Sequence, residues 1–269
     1  PKEGFPMTTR APAVAGLFYP ADPQALASMV DQLLADARPD ELAHPPKALI
    51  CPHAGYIYSG STAALGYATL RTGTHPVSRV VVAGPAHRVG IRGIALPGAD
   101  AMATPLGEIP LDAEACATIS KLPSVLTRPD VHAEEHSVEV QLPFLQRVLG
   151  DFTVVPLVVG DVDAGTVADV LEACWGGPET LVVISSDLSH YHPYGEARRL
   201  DAETIEAILD CQGPINPHRA CGAYPISGLL AVARRRRLRP TLLGACNSGD
   251  TAGDRGRVVG YASIAWHER

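Results

Sequence analysis

The strongest constraint on this chain is a set of short apolar runs, each ending at a polar, reactive residue. Ala48-Leu49-Ile50-Cys51 passes through Pro52 into His53. Arg79-Val80-Val81-Val82-Ala83 passes through Gly84-Pro85-Ala86 into His87, and Thr180 to Ser185 passes into Ser186-Asp187, with His190 close behind. A further apolar run spans Thr153 to Val159. Runs this short, rich in β-branched residues and punctuated by Gly and Pro, predict buried strands rather than helices. Strands that are apolar on both faces need cover on both faces.

The segments between them supply that cover. Asp22-Pro23 reads as an N-cap followed by a first-turn proline. Leu26, Met29, Val30, Leu33 and Leu34 then keep a helical period to about Ala37. Further helices are predicted over Ser61–Leu70, Asp112–Lys121, His136–Leu149 (despite Pro143), Ala164–Trp175, Ala197–Leu209 and Ile226–Arg236. Residues 10–22 read as an irregular arm, 38–46 as a linker, and 97–110, 123–135 and 213–221 as loops. Residues 91–96 suggest a short strand, and Thr241–Ala245 and Val258–Ala265 close the sheet.

Strands alternating with helices predict an α/β fold with a mostly parallel or mixed central sheet and helices on both faces. No internal repeat and no composition break divides the chain, so residues 10–269 are expected to form a single domain. Residues 1–9 are expected to be a disordered tail or an appended remnant, with Met7 as the native start.

Composition excludes several function classes. Apolar residues make up 46% and charged residues 19%, which fits a folded core rather than a disordered chain. A net charge of −7 argues against a nucleic-acid surface. The one basic run, Arg234 to Arg237, ends a predicted helix, where cations are favoured. No stretch of ~18 apolar residues offers a membrane span. Six cysteines are scattered without a CxxC pair, and no secretory leader is visible, so reduced thiols in a cytoplasm are expected.

Sites in open α/β sheets form at the carboxyl ends of strands. His53, His87 and Asp187 all fall there, and His190 is expected one helical turn after Asp187. Two histidines plus an anionic group form a ligand set for a metal with open positions. The anion could be Asp187, or Cys221, whose thiol at a loop-to-helix junction would be acidified by the helix end. His132-Ala133-Glu134-Glu135-His136 is not the zinc-protease H-E-x-x-H, because its glutamates are in the third and fourth positions. No G-x-S-x-G, P-loop or strand-linked G-x-G-x-x-G is present.

Six ordered segments carry a resemblance. They are Pro52-His53-Ala54-Gly55-Tyr56-Ile57-Tyr58-Ser59-Gly60, Gly84–His87, Thr104–Gly107, Glu135–Pro143, Ser185–Tyr191 and Ala220-Cys221-Gly222. With these, the chain resembles the Memo family (in bacteria and archaea, AmmeMemoRadiSam system protein B) from about Arg10 to Trp266. The resemblance implies a fold similar to the class III extradiol (LigB-type) dioxygenases, non-haem iron(II) enzymes that open catechols with O₂. It implies that His53, His87 and Cys221 bind a metal, Fe(II) first with Cu or Zn as alternatives. It also implies that Asp187 and His190 line the same pocket.

Cys221 stands where those dioxygenases carry a glutamate, and a thiolate is a softer donor, so catechol cleavage itself does not carry over. Ala223 occupies a position where relatives often have arginine. The implied roles are His190 as general acid or base, Asp187 as an orienting carboxylate, and His136 at the reaction or the substrate. Tyr56 and Tyr224 are expected to contact substrate, and Glu139 and Gln141 to support the loop. The expected function is an O₂-dependent redox enzyme acting on a small-molecule substrate. The alternatives are a metal-dependent hydrolase and, as for animal relatives, a non-catalytic metal- or ligand-binding adaptor. The family's name further implies a functional link with AMMECR1-like and radical SAM proteins.

Overall fold

The computed structural model describes residues 7–39, 42, 44–71 and 77–268. In chain order its strands are β1 (Thr9–Arg10), β2 (Ala48–Cys51), β3 (Arg79–Pro85), β4 (Ile94–Leu96), β5 (Ala101–Thr104), β6 (Gly107–Pro110), β7 (Val125–Thr127), β8 (Thr153–Val159), β9 (Thr180–Ser185), β10 (His190–His192), β11 (Arg239–Asn247) and β12 (Val258–His267). The α-helices are α1 (Pro23–Asp36), α2 (Tyr56–Ala68), α3 (Ala113–Ile119), α4 (Pro129–Ala133), α5 (Leu142–Val148), α6 (Ala164–Ala173), α7 (Tyr194–Leu209) and α8 (Ala223–Arg236).

The four apolar runs form the centre of the larger sheet as adjacent parallel strands in the order β2, β9, β3, β8. Their side chains alternate between two cores, as the pleat requires. Ile50, Val81, Ala83, Val155, Val182 and Ile184 face one cluster with Val167 and Leu171 of α6 and Ile226, Leu229 and Leu230 of α8. Leu49, Val80, Val82, Val154 and Val183 face the other, with Leu26 and Val30 of α1, Tyr67 of α2 and Phe144 of α5. The sheet is mixed at its flanks: β12 runs antiparallel to β2 and β11, and β4 antiparallel to β8.

Register places the functional ends together. Cys51 pairs with Ser185 and Ala83 with Ile184, so β2, β9 and β3 finish side by side, with β9 in the middle. His53, Asp187 and His87 therefore leave the sheet at one edge.

Several boundaries differ from the sequence reading. The Asp22 cap holds, its carboxylate accepting from Ala25 N at 2.8 Å. Helix α2, however, starts at Tyr56 rather than Ser61. No side chain caps it; its first N–H donates to Phe18 O at 2.8 Å, a tertiary contact invisible in local sequence. The predicted loop 97–110 contains the β5–β6 hairpin, with Gly107 at a φ of +124°. That hairpin pairs with β1, and Thr8 N donates to Asp100 at 2.8 Å. Thr8 and Thr9 are thus built into the fold rather than a loose tail; residues 1–6 lie outside the described residues. Loop 123–135 holds β7 and α4. The predicted helix from His136 begins only with a 3₁₀ turn at Glu139–Gln141. His190 opens a short strand paired with β12 instead of a helical turn. Among the described residues no helix is long and apolar enough to cross a membrane.

Candidate metal centre

The loop 134–138 is pressed onto the end of β3. Ser137 Oγ donates to Pro85 O at 2.8 Å, and a Cβ on Gly84 would lie 2.5 Å from Ser137 Oγ, so only glycine permits that approach. This docking brings His136 to the two strand-end histidines. One ligand atom from each of His53, His87 and His136 lies within 4.8 Å of the others. The His87 and His136 rings stack with centroids 4.6 Å apart, and His53 meets both edge-on at 5.2 and 5.4 Å.

Hydrogen bonds set the tautomers. Ser185 Oγ donates to Ser137 O at 2.5 Å, since a carbonyl can only accept. It must then accept from Gln141 Nε2 at 2.7 Å and from His53 Nδ1 at 2.8 Å. His53 consequently carries its proton on Nδ1 and keeps Nε2 as its unprotonated nitrogen. Glu135 does the same for His87: Oε1 accepts from His87 Nδ1 at 2.9 Å. The carboxylate also accepts from the backbone N–H groups of His87, His136 and Ser137. Burial opposes ionisation of Glu135, but these bonds, led by that from the His87 ring, outweigh it and hold the group well below the usual carboxylate range.

Burial, reinforced by the neighbouring imidazoles, pushes His53 well below the ordinary histidine value and His136 down to about 4. At neutral pH both are the uncharged imidazoles that a metal requires. His136 Nδ1 is buried and makes no hydrogen bond among the described residues, although Glu135 Oε1 stands 3.4 Å away. A buried polar atom normally makes one, and imidazole nitrogens suit Fe, Cu, Ni or Zn. The donor set therefore fits a first-row metal ion.

Cys221 Sγ lies 3.3 Å from His53 Nε2, the nitrogen that would face a metal. It is not a member of the mutually close group. Gly222, where a Cβ would lie 2.5 Å from Ser186 Cβ, brings this loop against the end of β9. Asp187 N donates to the sulfur at 3.3 Å. The expected acidification by the helix end is not what this environment produces: burial, then the Asp187 charge, pushes the thiol well above its usual range.

Asp187 and His190 line the same cavity of about 670 Å³, together with His53, His87 and His136. Asp187 does not orient an imidazole as expected; Oδ1 accepts from the backbone N–H of His53 at 2.8 Å, and burial raises its carboxyl to about 7. The orienting groups are Ser185 and Glu135. His190 Nδ1 donates to Leu188 O at 2.8 Å, which leaves Nε2 as its proton-accepting nitrogen, and burial lowers its pKa.

Two expected substrate contacts lie elsewhere. Tyr56 is buried, its hydroxyl donating to Val140 O at 2.7 Å and its ring packed on Tyr19 and Phe144. Tyr224, in the first turn of α8, directs its hydroxyl to Asp161 and does not line the cavity. The wall is formed instead by Phe18, Tyr58, Arg88, Tyr191, Arg257 and Tyr261. Phe18 rests against His136 at 4.6 Å. The irregular composition of the arm that carries it offers no signal for this.

Comparison with known proteins agrees with this architecture. The family described as Memo-like protein matches residues 10–265. A MEMO1 family protein of Archaeoglobus fulgidus is 37% identical over 274 residues, covering 96% of this chain and 99% of the relative. One from Aquifex aeolicus is 37% identical over 270 residues, covering 96% and 99%. One from Sulfolobus acidocaldarius is 35% identical over 279 residues, covering 95% and 98%. With its strand-end histidines in place and its length matched almost end to end, the chain belongs to the Memo family.

Proposed function

We propose that this protein is a mononuclear metal enzyme carrying out O₂-dependent redox chemistry on a small molecule, with Fe(II) as its metal. The supporting observation is the group of His53, His87 and His136, with His53 and His87 locked as Nδ1–H tautomers by Ser185 and Glu135. His53 and His87 would hold the ion. His136 or Cys221 would complete the set. Fe(II) bound by such a partial ligand shell would supply O₂ and one-electron chemistry.

The protein's own contribution is proton handling beside a partly apolar wall. His190, with Nδ1 committed to Leu188 O, would take a proton from a bound substrate through Nε2. Asp187, with a carboxyl near 7, can hold or release a second one close to neutral pH. Phe18 and Tyr261 wall the cavity with apolar surface.

The test is anaerobic iron loading followed by O₂ uptake across a substrate panel. His190→Gln should lower turnover by roughly 10²–10⁴-fold while retaining iron. Uptake unaffected by His53→Ala would contradict the proposal. Three imidazoles are also the donor set of hydrolytic zinc centres, which favours a metal-dependent hydrolase as the second reading. Turnover with Zn²⁺ in the absence of O₂ would move the assignment there.

A further inference from the structure

The charged groups at the cavity mouth include two arginines. Arg88, one residue beyond His87, and Arg257, just before β12, both line it and both are exposed. Arg88 stands close enough to His136 to disfavour its protonation. Arg257 lies over the Tyr191 ring at 5.0 Å. Several other arginines are matched with carboxylates, as in Arg147 with Asp31 and Arg235 with Glu172. Among the described residues, neither Arg88 nor Arg257 has such a partner.

Two acids share the lining, and both are turned to the backbone. Asp187 accepts from His53 N, and Asp254 accepts from Gly256 N. The remaining titratable groups, His53, His87, His136 and His190, carry no negative charge. In a chain of net charge −7, this cavity presents two free guanidinium groups. Guanidinium groups favour the planar, paired oxygens of carboxylates and phosphates. Phe18, Tyr58, Tyr191 and Tyr261 add flat apolar walls, and about 670 Å³ is a small-molecule volume.

We infer that Arg88 and Arg257 form an anion subsite at the mouth of the cavity. The ligand is a small planar molecule with a carboxylate or phosphate at one end and its other end toward the histidine cluster. This rests on reading the cavity as a small-molecule site beside a metal.

The test is calorimetric titration of Zn²⁺-loaded and metal-free protein with benzoate, phenyl phosphate and benzyl alcohol, with metal content measured on the same samples. Both acids, or the one matching the natural anion, should bind at least about tenfold more tightly than the alcohol. Arg88→Gln and Arg257→Gln should each weaken acid binding roughly tenfold and leave the alcohol unchanged. Equal binding of acid and alcohol, no binding of either acid, or wild-type acid affinity in both variants would overturn the subsite. Arginine-dependent acid binding in a protein that takes up no metal would instead overturn the metal reading and leave the subsite standing. The stronger of the two acids identifies the anion.

Discussion

Ser185 Oγ receives the Nδ1 proton of His53 at 2.8 Å, and its own proton is committed to Ser137 O. One hydroxyl thus decides which His53 nitrogen is available to a metal. Gln141 completes the arrangement, donating to Ser185 and accepting from Tyr67 Oη at 2.6 Å, so the tautomer is anchored in the core behind the site.

Ser185→Ala should therefore weaken metal binding by roughly 10–100-fold, the usual effect of losing a group that orients a ligand. Gln141 Nε2 keeps its second acceptor, Pro52 O at 3.0 Å, so the fold should survive. Competition against a chromophoric chelator measures the affinity. An unchanged affinity would show that the His53 ring is held by other contacts.

The arm at residues 10–19 depends on Glu139. Its carboxylate accepts from Arg10, from the N–H groups of Ala13 and Val14, and from the Tyr19 hydroxyl. Arg10 and Glu139 are both buried. Glu139→Ala leaves a buried guanidinium unpaired, with a cost of about 3–5 kcal/mol, to be read from urea unfolding. Phe18 belongs to the same arm, so ligand affinity should fall as well. A loss below about 1 kcal/mol would mean that Arg10 escapes to water in the variant.

Acid should destabilise the protein through His132. This residue is buried, its Nε2 donates to Ala95 O at 2.8 Å, and burial lowers its pKa to about 4. The unfolded chain binds this proton near 6.5, so between 6.5 and 4 the unfolded state carries more protons and stability rises with pH. Stability is then full above 6.5 and is lost as pH falls toward 4, by on the order of 3 kcal/mol for this one group. Denaturant melts of the metal-free protein at several pH values should show this slope, reduced in His132→Gln. An identical slope in the variant would assign it to other groups.

What could be read from sequence follows the physics of each element. The central strands were legible because continuous β-branched runs have few other solutions, and their polar ends placed His53, His87, Asp187 and His190 at one edge. The start of α2 was not, because a backbone carbonyl of Phe18 replaces a capping side chain. The β5–β6 hairpin was missed because its small residues gain their place by pairing with β1, about ninety positions away in the chain. His136 was placed on a helix by the spacing of Val138, Leu142 and Leu145. Its own segment is instead a loop held by Glu135 and Ser137, whose partners lie at or just beyond the ends of β3 and β9. Tyr56 and Tyr224 share motifs with site residues, but neighbours in sequence need not face the same cavity.

The central claim is that His53 and His87 hold a metal ion. Elemental analysis of protein purified without oxygen tests it most directly, comparing wild type with His53→Ala, His87→Ala, His136→Ala and Cys221→Ala. The account predicts about one metal ion per chain in the wild type and its loss in both His53→Ala and His87→Ala. Of His136→Ala and Cys221→Ala, the variant that also loses it identifies the third ligand. Full metal content in His53→Ala, with the fold intact, would contradict the account.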